Sequence, residues 1–193
     1  MHHIYHTEGI ILGSRDFGEA GKHYAIFTEK LGMIHARATG VRKLSSKLRF
    51  ILQDFACVNV DLVQGRNFWR VTSASKTGKL ERLPKQPEML RVFGNIAALL
   101  ERLLAAAEPN KKLFMDLMQG LSMLEKSETR EDLRNIEAIV VLRALADLGY
   151  IGGDETMDTF VNSPLEEDLV YKVSPARGEI LRHINQALRA SHL

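Results

Sequence analysis

The chain has 193 residues, with 26 Lys+Arg against 24 Asp+Glu and a single cysteine. That length holds one domain or two small ones, and a hydrophobic content of 45% supplies a core and excludes wholesale disorder. Cys57 alone excludes an internal disulfide or a zinc site built on several thiolates. No apolar run reaches the roughly 18–20 residues of a membrane span, and Met1–His6 lacks the basic and apolar segments of a secretory signal; the expectation is a soluble, cytoplasmic protein.

The net charge of +2 hides an asymmetry: residues 1–80 carry twelve Lys+Arg and six Asp+Glu, whereas residues 81–193 carry fourteen and eighteen. Six cations and no acid lie between Lys30 and Gln53. A solvated loop is one reading of that run. A groove for a polyanion is the better one, because clustered like charges need a counter-ion.

The first half reads as strands. Gly9–Gly13 and Tyr24–Thr28 are short apolar runs. In Met33–Thr39, Ile34, Ala36 and Ala38 alternate with Met33, His35, Arg37 and Thr39, which places the first set inward and the basic set outward. Gly40–Lys47 is a polar loop. Phe55–Val63 alternates again, Gly65-Arg66-Asn67 reads as a hairpin turn, and Phe68–Ser75 is a fifth strand. Five short strands in about 70 residues point to a small barrel, with an OB-fold fitting best and an SH3-like barrel as the near alternative.

Leu83–Pro87 marks a boundary, and the period then becomes helical. Glu88–Ala107 is apolar nearly all round, the pattern of a helix buried on most sides. A second helix carries Leu113, Phe114, Leu117, Met118, Leu121 and Leu124 as one stripe. Thr129 and Asp132 form an imperfect capping box for a third, which Gly149 ends. Residues 150–173 lose periodicity and read as an acidic irregular stretch. Ser174-Pro175 then reads as the N-cap and first residue of a last helix. The expected fold class is α+β: an N-terminal five-stranded OB-fold barrel over residues 1–80, then an all-helical domain over residues 81–193.

Catalytic signatures are lacking. Gly18–Lys22 has too few residues between its glycines for a phosphate loop, and His23 stands where a Ser or Thr belongs. Cys57, mid-strand between Ala56 and Val58, reads as core. His2, His3 and His6 read as terminal histidines rather than a metal site, and Glu166-Glu167 as solvated charge. No enzyme, cofactor or metal is implied. What stands out is a basic barrel with aromatics among its strands, namely Phe17, Tyr24, Phe27, Phe50, Phe55, Phe68 and Trp69, of which Phe27 and Phe55 read as core. Cations that track phosphates and rings that stack on bases are the two ingredients of single-strand binding, with backbone contacts dominating affinity.

Four segments carry a family resemblance: Thr7-Glu8-Gly9-Ile10-Ile11-Leu12, Arg15-Asp16-Phe17-Gly18-Glu19-Ala20, Phe27-Thr28-Glu29-Lys30-Leu31-Gly32 and Ala38-Thr39-Gly40-Val41-Arg42-Lys43. Together they resemble the N-terminal domain of the RecO recombination mediators. Leu142–Tyr150 and the segment from Val173 onward resemble the later part of that family. The resemblance implies an OB-fold followed by helices, binding of single- and double-stranded DNA, and annealing of complementary strands. It also implies contact with RecR and with the tail of single-strand-binding protein, so that RecA is loaded, and a nucleoid-associated place in the cytoplasm. Carried over by position, Arg15, Arg37, Arg42 and Lys43 face DNA; Lys47, Arg49, Arg66, Trp69 and Arg70 are added on charge and ring chemistry. Many family members hold a four-cysteine zinc site after the Leu-Gly-Tyr segment, where this chain has Ile151–Thr156 and no cysteine. The chain also reads as short for the family, mainly in that acidic stretch. An RNA-binding module of the same fold, or a protein–protein adaptor working through the helices, are the competing readings. For a partner, the helical half offers Arg91, Arg102, Lys111, Lys112, Arg130, Arg134 and Arg143 among apolar stripes.

Overall fold

A computed structural model describes residues 3–104, 108–152 and 155–191. Its strands are β1 (Ile4–Phe17), β2 (Gly21–Thr28), β3 (Gly32–Ala38), β4 (Cys57–Gln64) and β5 (Trp69–Lys76). They close into a barrel in the order β1-β2-β3-β5-β4, the OB-fold arrangement. The expected strand at residues 9–13 is the middle of a 14-residue strand with two partners: Ile4–Ile10 pair with β4, and Gly9–Phe17 pair with β2. A bulge between Ile11 and Gly13 bends β1 from one partner to the other. The loop before β4 holds that bulge, with Ile11 N–H donating to Ala56 O at 3.0 Å and Phe55 N–H to Ile11 O at 2.7 Å. Gly9 lies at the crossing, where a Cβ would sit 2.8 Å from Ile26 Cγ2.

The alternation in β3 is realised in Ile34, Ala36 and Ala38, which join Ile11, Tyr24, Ile26, Val58, Val60 and Leu62 in the barrel core. Met33 differs from the expectation: it is buried rather than outward. Cys57 is buried. Burial pushes its thiol up to about 12, with the Glu8 carboxylate acting in the same direction and the Thr77 hydroxyl opposing it. Barrel closure rests on a short parallel pairing of β3 with β5, Ala36 opposite Trp69 and Arg37 opposite Arg70.

Five helices follow: α1 (Pro87–Leu103), α2 (Lys111–Lys126), α3 (Arg130–Asp147), α4 (Glu155–Asn162) and α5 (Glu167–Ala190). The expected continuation of the first helix to Ala107 lies outside the described residues from 105, as does Asp154 of the acidic stretch. The helix buried on most sides is α3, not α1. Ten of its side chains are buried, whereas α1 keeps Glu88, Arg91, Asn95, Glu101 and Arg102 exposed. The N-cap at Thr129 is present, with its hydroxyl accepting from Asp132 N–H at 3.1 Å and donating to Asp132 Oδ2 at 2.7 Å, in place of the reciprocal bond of a full capping box. Gly149, at φ +79°, ends α3 in a Schellman motif, with Tyr150 N–H donating to Leu145 O and Gly149 N–H to Ala146 O.

Two expectations are corrected. Residues 150–173 are not an irregular stretch. Met157 and Phe160, three apart, are the buried face of α4, and Glu167 and Asp168 fill the first turn of α5, where carboxylates offset the unpaired N–H groups. Nor does Ser174-Pro175 open the last helix, because Pro175 lies inside α5. A proline removes the donor to the carbonyl four residues earlier, here Tyr171. Asn135, buried on α3, braces this point. Its Nδ2 donates to Val170 O at 3.1 Å and Ser174 Oγ at 2.8 Å, and its Oδ1 accepts from Arg177.

The described residues form two compact units, one within Met1–Pro84 and Ala97–Lys111, the other within Lys85–Ile96 and Lys112–Leu193. Among the described residues no helix is long and apolar enough to cross a membrane.

Candidate nucleic-acid interface

Strand register assembles what separates these residues in sequence. Arg15 on β1 lies opposite His23 on β2, His23 opposite Arg37 on β3, and Arg37 opposite Arg70 on β5. Opposed residues share a face of a sheet, so these four form one row across four strands. The adjacent row, Ser14, Tyr24, Ala36 and Trp69, contains the core residues Tyr24 and Ala36. The cationic row therefore faces out.

Arg37 is the best-fixed member. Its guanidinium carbon lies 3.6 Å from the Phe68 ring centroid and 4.3 Å from that of Phe17. Phe17 in turn meets His23 edge-on at 4.5 Å. Two rings thus pack on the guanidinium, contacts that orient an arginine without neutralising it. Its Nε is buried without a hydrogen-bond partner among the described residues. The field at this row is positive: burial, then Arg37, Arg15 and His35, lower the His23 pKa below 6.5.

The other sequence-derived residues divide. Arg42 lies beside the row. Its backbone N–H donates to Ala20 O at 2.9 Å, and its side chain pairs with Asp16 at 2.9 Å. This exposed ion pair takes Arg42 out of the fully uncompensated set. Lys43 follows it, exposed. Arg66 occupies the β4–β5 turn that also presents Phe68. Lys47 and Arg49 lie on a 3-10 turn, Lys47–Phe50, in the β3–β4 connection, and no contact ties them to the row. Trp69 is half-buried, packed on the barrel core and edge-on to Tyr5 at 5.0 Å. Among the described residues Arg15, Arg37, Lys43, Lys47, Arg49, Arg66 and Arg70 form no ion pair. Sequence reading missed His23 as part of the row, and Phe17 and Phe68 as the rings packed on Arg37. Alternation along β2 carried a signal for His23, but nothing short of register placed it between two arginines.

The helical unit holds a second cationic feature. A groove of about 390 Å³ is lined by Pro87, Glu88, Arg91 and Val92 of α1 and by Arg130, Leu133, Arg134 and Glu137 of α3. Arg130 pairs with Glu88 at 2.5 Å; Arg91 and Arg134 form no ion pair among the described residues. Of the other helical cations named from sequence, Arg102 is exposed in the last turn of α1 and three go elsewhere. Lys112 pairs with Asp116 and Asp147, and Lys111 with Glu29 within the barrel unit. Arg143, 4% exposed, donates to the Phe160 and Ser163 carbonyls. Burial lowers the Arg143 pKa, with Asp116 opposing. Of the histidines once weighed as metal ligands, His2 lies outside the described residues, and His6 bonds Asp61 at 2.6 Å. Among the described residues no cluster of metal-ligating side chains forms.

Comparison with known proteins matches residues 1–78 to the family model described as recombination protein O, N terminal. Curated relatives carry the name DNA repair protein RecO. That of Rubrobacter xylanophilus is 29% identical over 147 residues, 76% of this chain and 58% of the relative. That of Alkaliphilus metalliredigens is 27% identical over 92% of this chain and 70% of the relative. That of a Roseiflexus species is 35% identical over 76% of this chain and 50% of the relative. The chain thus spans between half and about two thirds of the length of these relatives.

Proposed function

The chain belongs to the RecO family, and from that premise we propose that it is a recombination mediator of DNA repair whose barrel holds the phosphate backbone of single- and double-stranded DNA across the Arg15–His23–Arg37–Arg70 row. The observation that carries the reading is the row itself. Like charges directly opposed on a sheet are destabilising, and here no carboxylate among the described residues offsets them. A polyanion does. Three arginines in one row over four adjacent strands, one packed by two rings, present guanidinium edges suited to phosphate oxygens. Arg42, Lys43 and Arg66 flank the row and extend the same surface.

The finer roles rest on the family. They are annealing of complementary strands, contact with RecR, and assistance to RecA on DNA coated with single-strand-binding protein. None requires catalytic chemistry from this chain. The groove of Arg91, Arg130 and Arg134 supports one of them, because cations beside Val92 and Leu133 suit a peptide with acidic residues and an apolar end. We assign the tail of single-strand-binding protein to it.

The test is binding of a labelled single-stranded oligonucleotide over a salt series, with matched RNA as competitor. Log affinity is expected to fall linearly with log salt, with a slope of about −0.7 per phosphate contacted. Absence of binding at low salt overturns the reading, and preference for RNA turns it into the RNA-module alternative. Titrating a labelled tail peptide against the full chain tests the groove. Binding that survives R91E/R134E refutes that assignment.

A further inference from the structure

The β3–β4 connection contains an anomaly that the backbone-binding reading does not use. Its ends are anchored in the barrel core by Val41, 2% exposed, and Leu52, 3% exposed. Leu48 and Ile51, in the same connection, pack against that core. Leu44 and Phe50 do the opposite, at 85% and 59% exposed. The segment is not slack: Lys43 N–H donates to Gly40 O at 3.1 Å, Ser46 N–H to Lys43 O at 3.0 Å, and Leu52 N–H to Leu48 O at 2.8 Å. A built loop thus turns two large apolar side chains to water, although apolar neighbours in it face inward.

Those side chains are set among Arg42, Lys43, Lys47 and Arg49, in a run without a carboxylate. The one ring contact of Phe50 among the described residues is the Arg49 guanidinium, 5.4 Å from its centroid. The start of the loop adjoins the cationic row. Arg42 is tied through Ala20 and Asp16 to the β1–β2 hairpin, one residue from Arg15. Cations beside exposed apolar surface are what an unpaired base requires, with its phosphate on one side and its ring face on the other.

We propose that Leu44 and Phe50 are a base-contacting wedge that gives the cationic barrel a preference for unpaired bases over intact duplex. The proposal rests on the reading that the barrel binds DNA. Phosphates are common to both forms of DNA, so the row alone does not discriminate between them. Only unpaired bases offer open ring faces, so discrimination falls to these two side chains. An anionic membrane is the other surface that cations beside Leu and Phe fit. Two apolar side chains are a small anchor by the standard of an amphipathic helix, and the row adjoining the start of the loop favours DNA.

The experiment measures anisotropy of the full chain on labelled oligothymidylate of about 30 nucleotides, longer than the ~4–16 nucleotides one OB barrel covers, and on a duplex of equal length, each over a salt series. The L44S/F50A variant is expected to lose about fivefold or more in single-strand affinity, the lower end of the ~1–3 kcal/mol that a base–ring stack contributes. Its slope of log affinity against log salt is expected to stay unchanged, and its duplex affinity to stay within about twofold. F50W keeps a ring and is expected to keep the preference. Equal loss on both DNAs, no loss on either, or failure of F50W to retain the preference overturns the wedge. So does loss confined to phosphatidylglycerol vesicles in co-sedimentation. If the wild type binds neither DNA at low salt, the nucleic-acid reading falls with the wedge; if it binds both and only the preference is missing, the wedge alone falls.

Discussion

Replacing Arg15 and Arg70 by glutamine separates a binding row from a structural one. If Arg15, Arg37, Arg42, Lys43 and Arg70 each meet one phosphate of a single strand, the slope of log affinity against log salt is about −3.5. Affinity then falls about 130-fold between 50 and 200 mM salt, by the ~0.7 per contact that counter-ion release gives. R15Q/R70Q removes two contacts, so the slope becomes about −2.1 and the same change in salt weakens binding only about 20-fold. The two variant positions end the row, which spans three strand spacings, about 14 Å along the sheet, so Arg37 and its ring contacts stay intact.

The same variant makes the opposite demand on stability. Arg37 and Arg70 are directly opposed, and like charges in that position are worth about 0.2–1 kcal/mol against the fold. Removing one of them should therefore leave Tm unchanged or raise it by about 1–3 °C for a chain of this size. Structural arginines behave in the reverse way. Anisotropy over the salt series and thermal unfolding by circular dichroism read the two quantities on one preparation. An unchanged salt slope, or a Tm lowered by several degrees, refutes the row as a phosphate track.

Three further outcomes are expected. His23 has a folded-state pKa lowered from 6.5 by burial and by Arg37, Arg15 and His35. The unfolded chain thus binds the proton more readily, and this group's contribution to stability is lost as pH falls below about 6.5. A phosphate laid on the row favours the charged form, so DNA affinity should rise as pH falls from 8 to 6; equal pH profiles for wild type and H23Q would sink His23 as a member of the site. Arg143→Met leaves the Phe160 and Ser163 carbonyls without their donor, a loss of about 1–3 kcal/mol for each buried acceptor left unsatisfied. Hydrogen exchange should then accelerate first in α4, and uniform acceleration would show that Arg143 does not hold that helix. Cys57, its thiol pushed up to about 12, should resist a thiol-specific disulfide reagent at pH 8 in the folded chain and react at once in denaturant; fast reaction in the native state contradicts its burial.

Much of the barrel was legible because its information is local. Alternation in β3 put Ile34, Ala36 and Ala38 inside, and the observed core contains all three. The same period failed at Met33, which is buried although its parity is outward, since what covers a strand's outer face is not written in the strand. In the helical half, Thr129 and Gly149 marked real ends of α3 because caps are also local. Ser174-Pro175 misled for the complementary reason. Its dipeptide is a sound N-terminal signal, but α5 continues through it, with Asn135, far away in sequence, donating beside it to Val170 O and Ser174 Oγ. The apolar stripe Leu169, Val170, Val173, Ile180, Ile184 and Ala187 ran across the proline at helical spacing; that longer period outweighs the dipeptide.

Arginine identity says least of all. Arg42 pairs with an exposed carboxylate, Arg143 is sealed against two carbonyls, and Arg37 packs on two rings and forms no ion pair among the described residues. Arg37 and Arg42 share one acid-free cationic run, so charge counting weighs those two alike although their surroundings differ. Their fates follow from partners 17 to 26 positions away in Arg42 and Arg143, and from register in Arg37. An arginine committed to a carbonyl or carboxylate has spent its donors on the fold. One oriented by rings keeps its charge and its edge, and opposed to a second arginine it makes the closing β3–β5 pair less stable than a neutral pair would be. A barrel closed at that pair is held back by repulsion that an anion relieves, so ligand binding and closure of the fold are coupled at the same two strands: DNA should raise Tm more in the wild type than in R15Q/R70Q, and an equal shift in both would uncouple them.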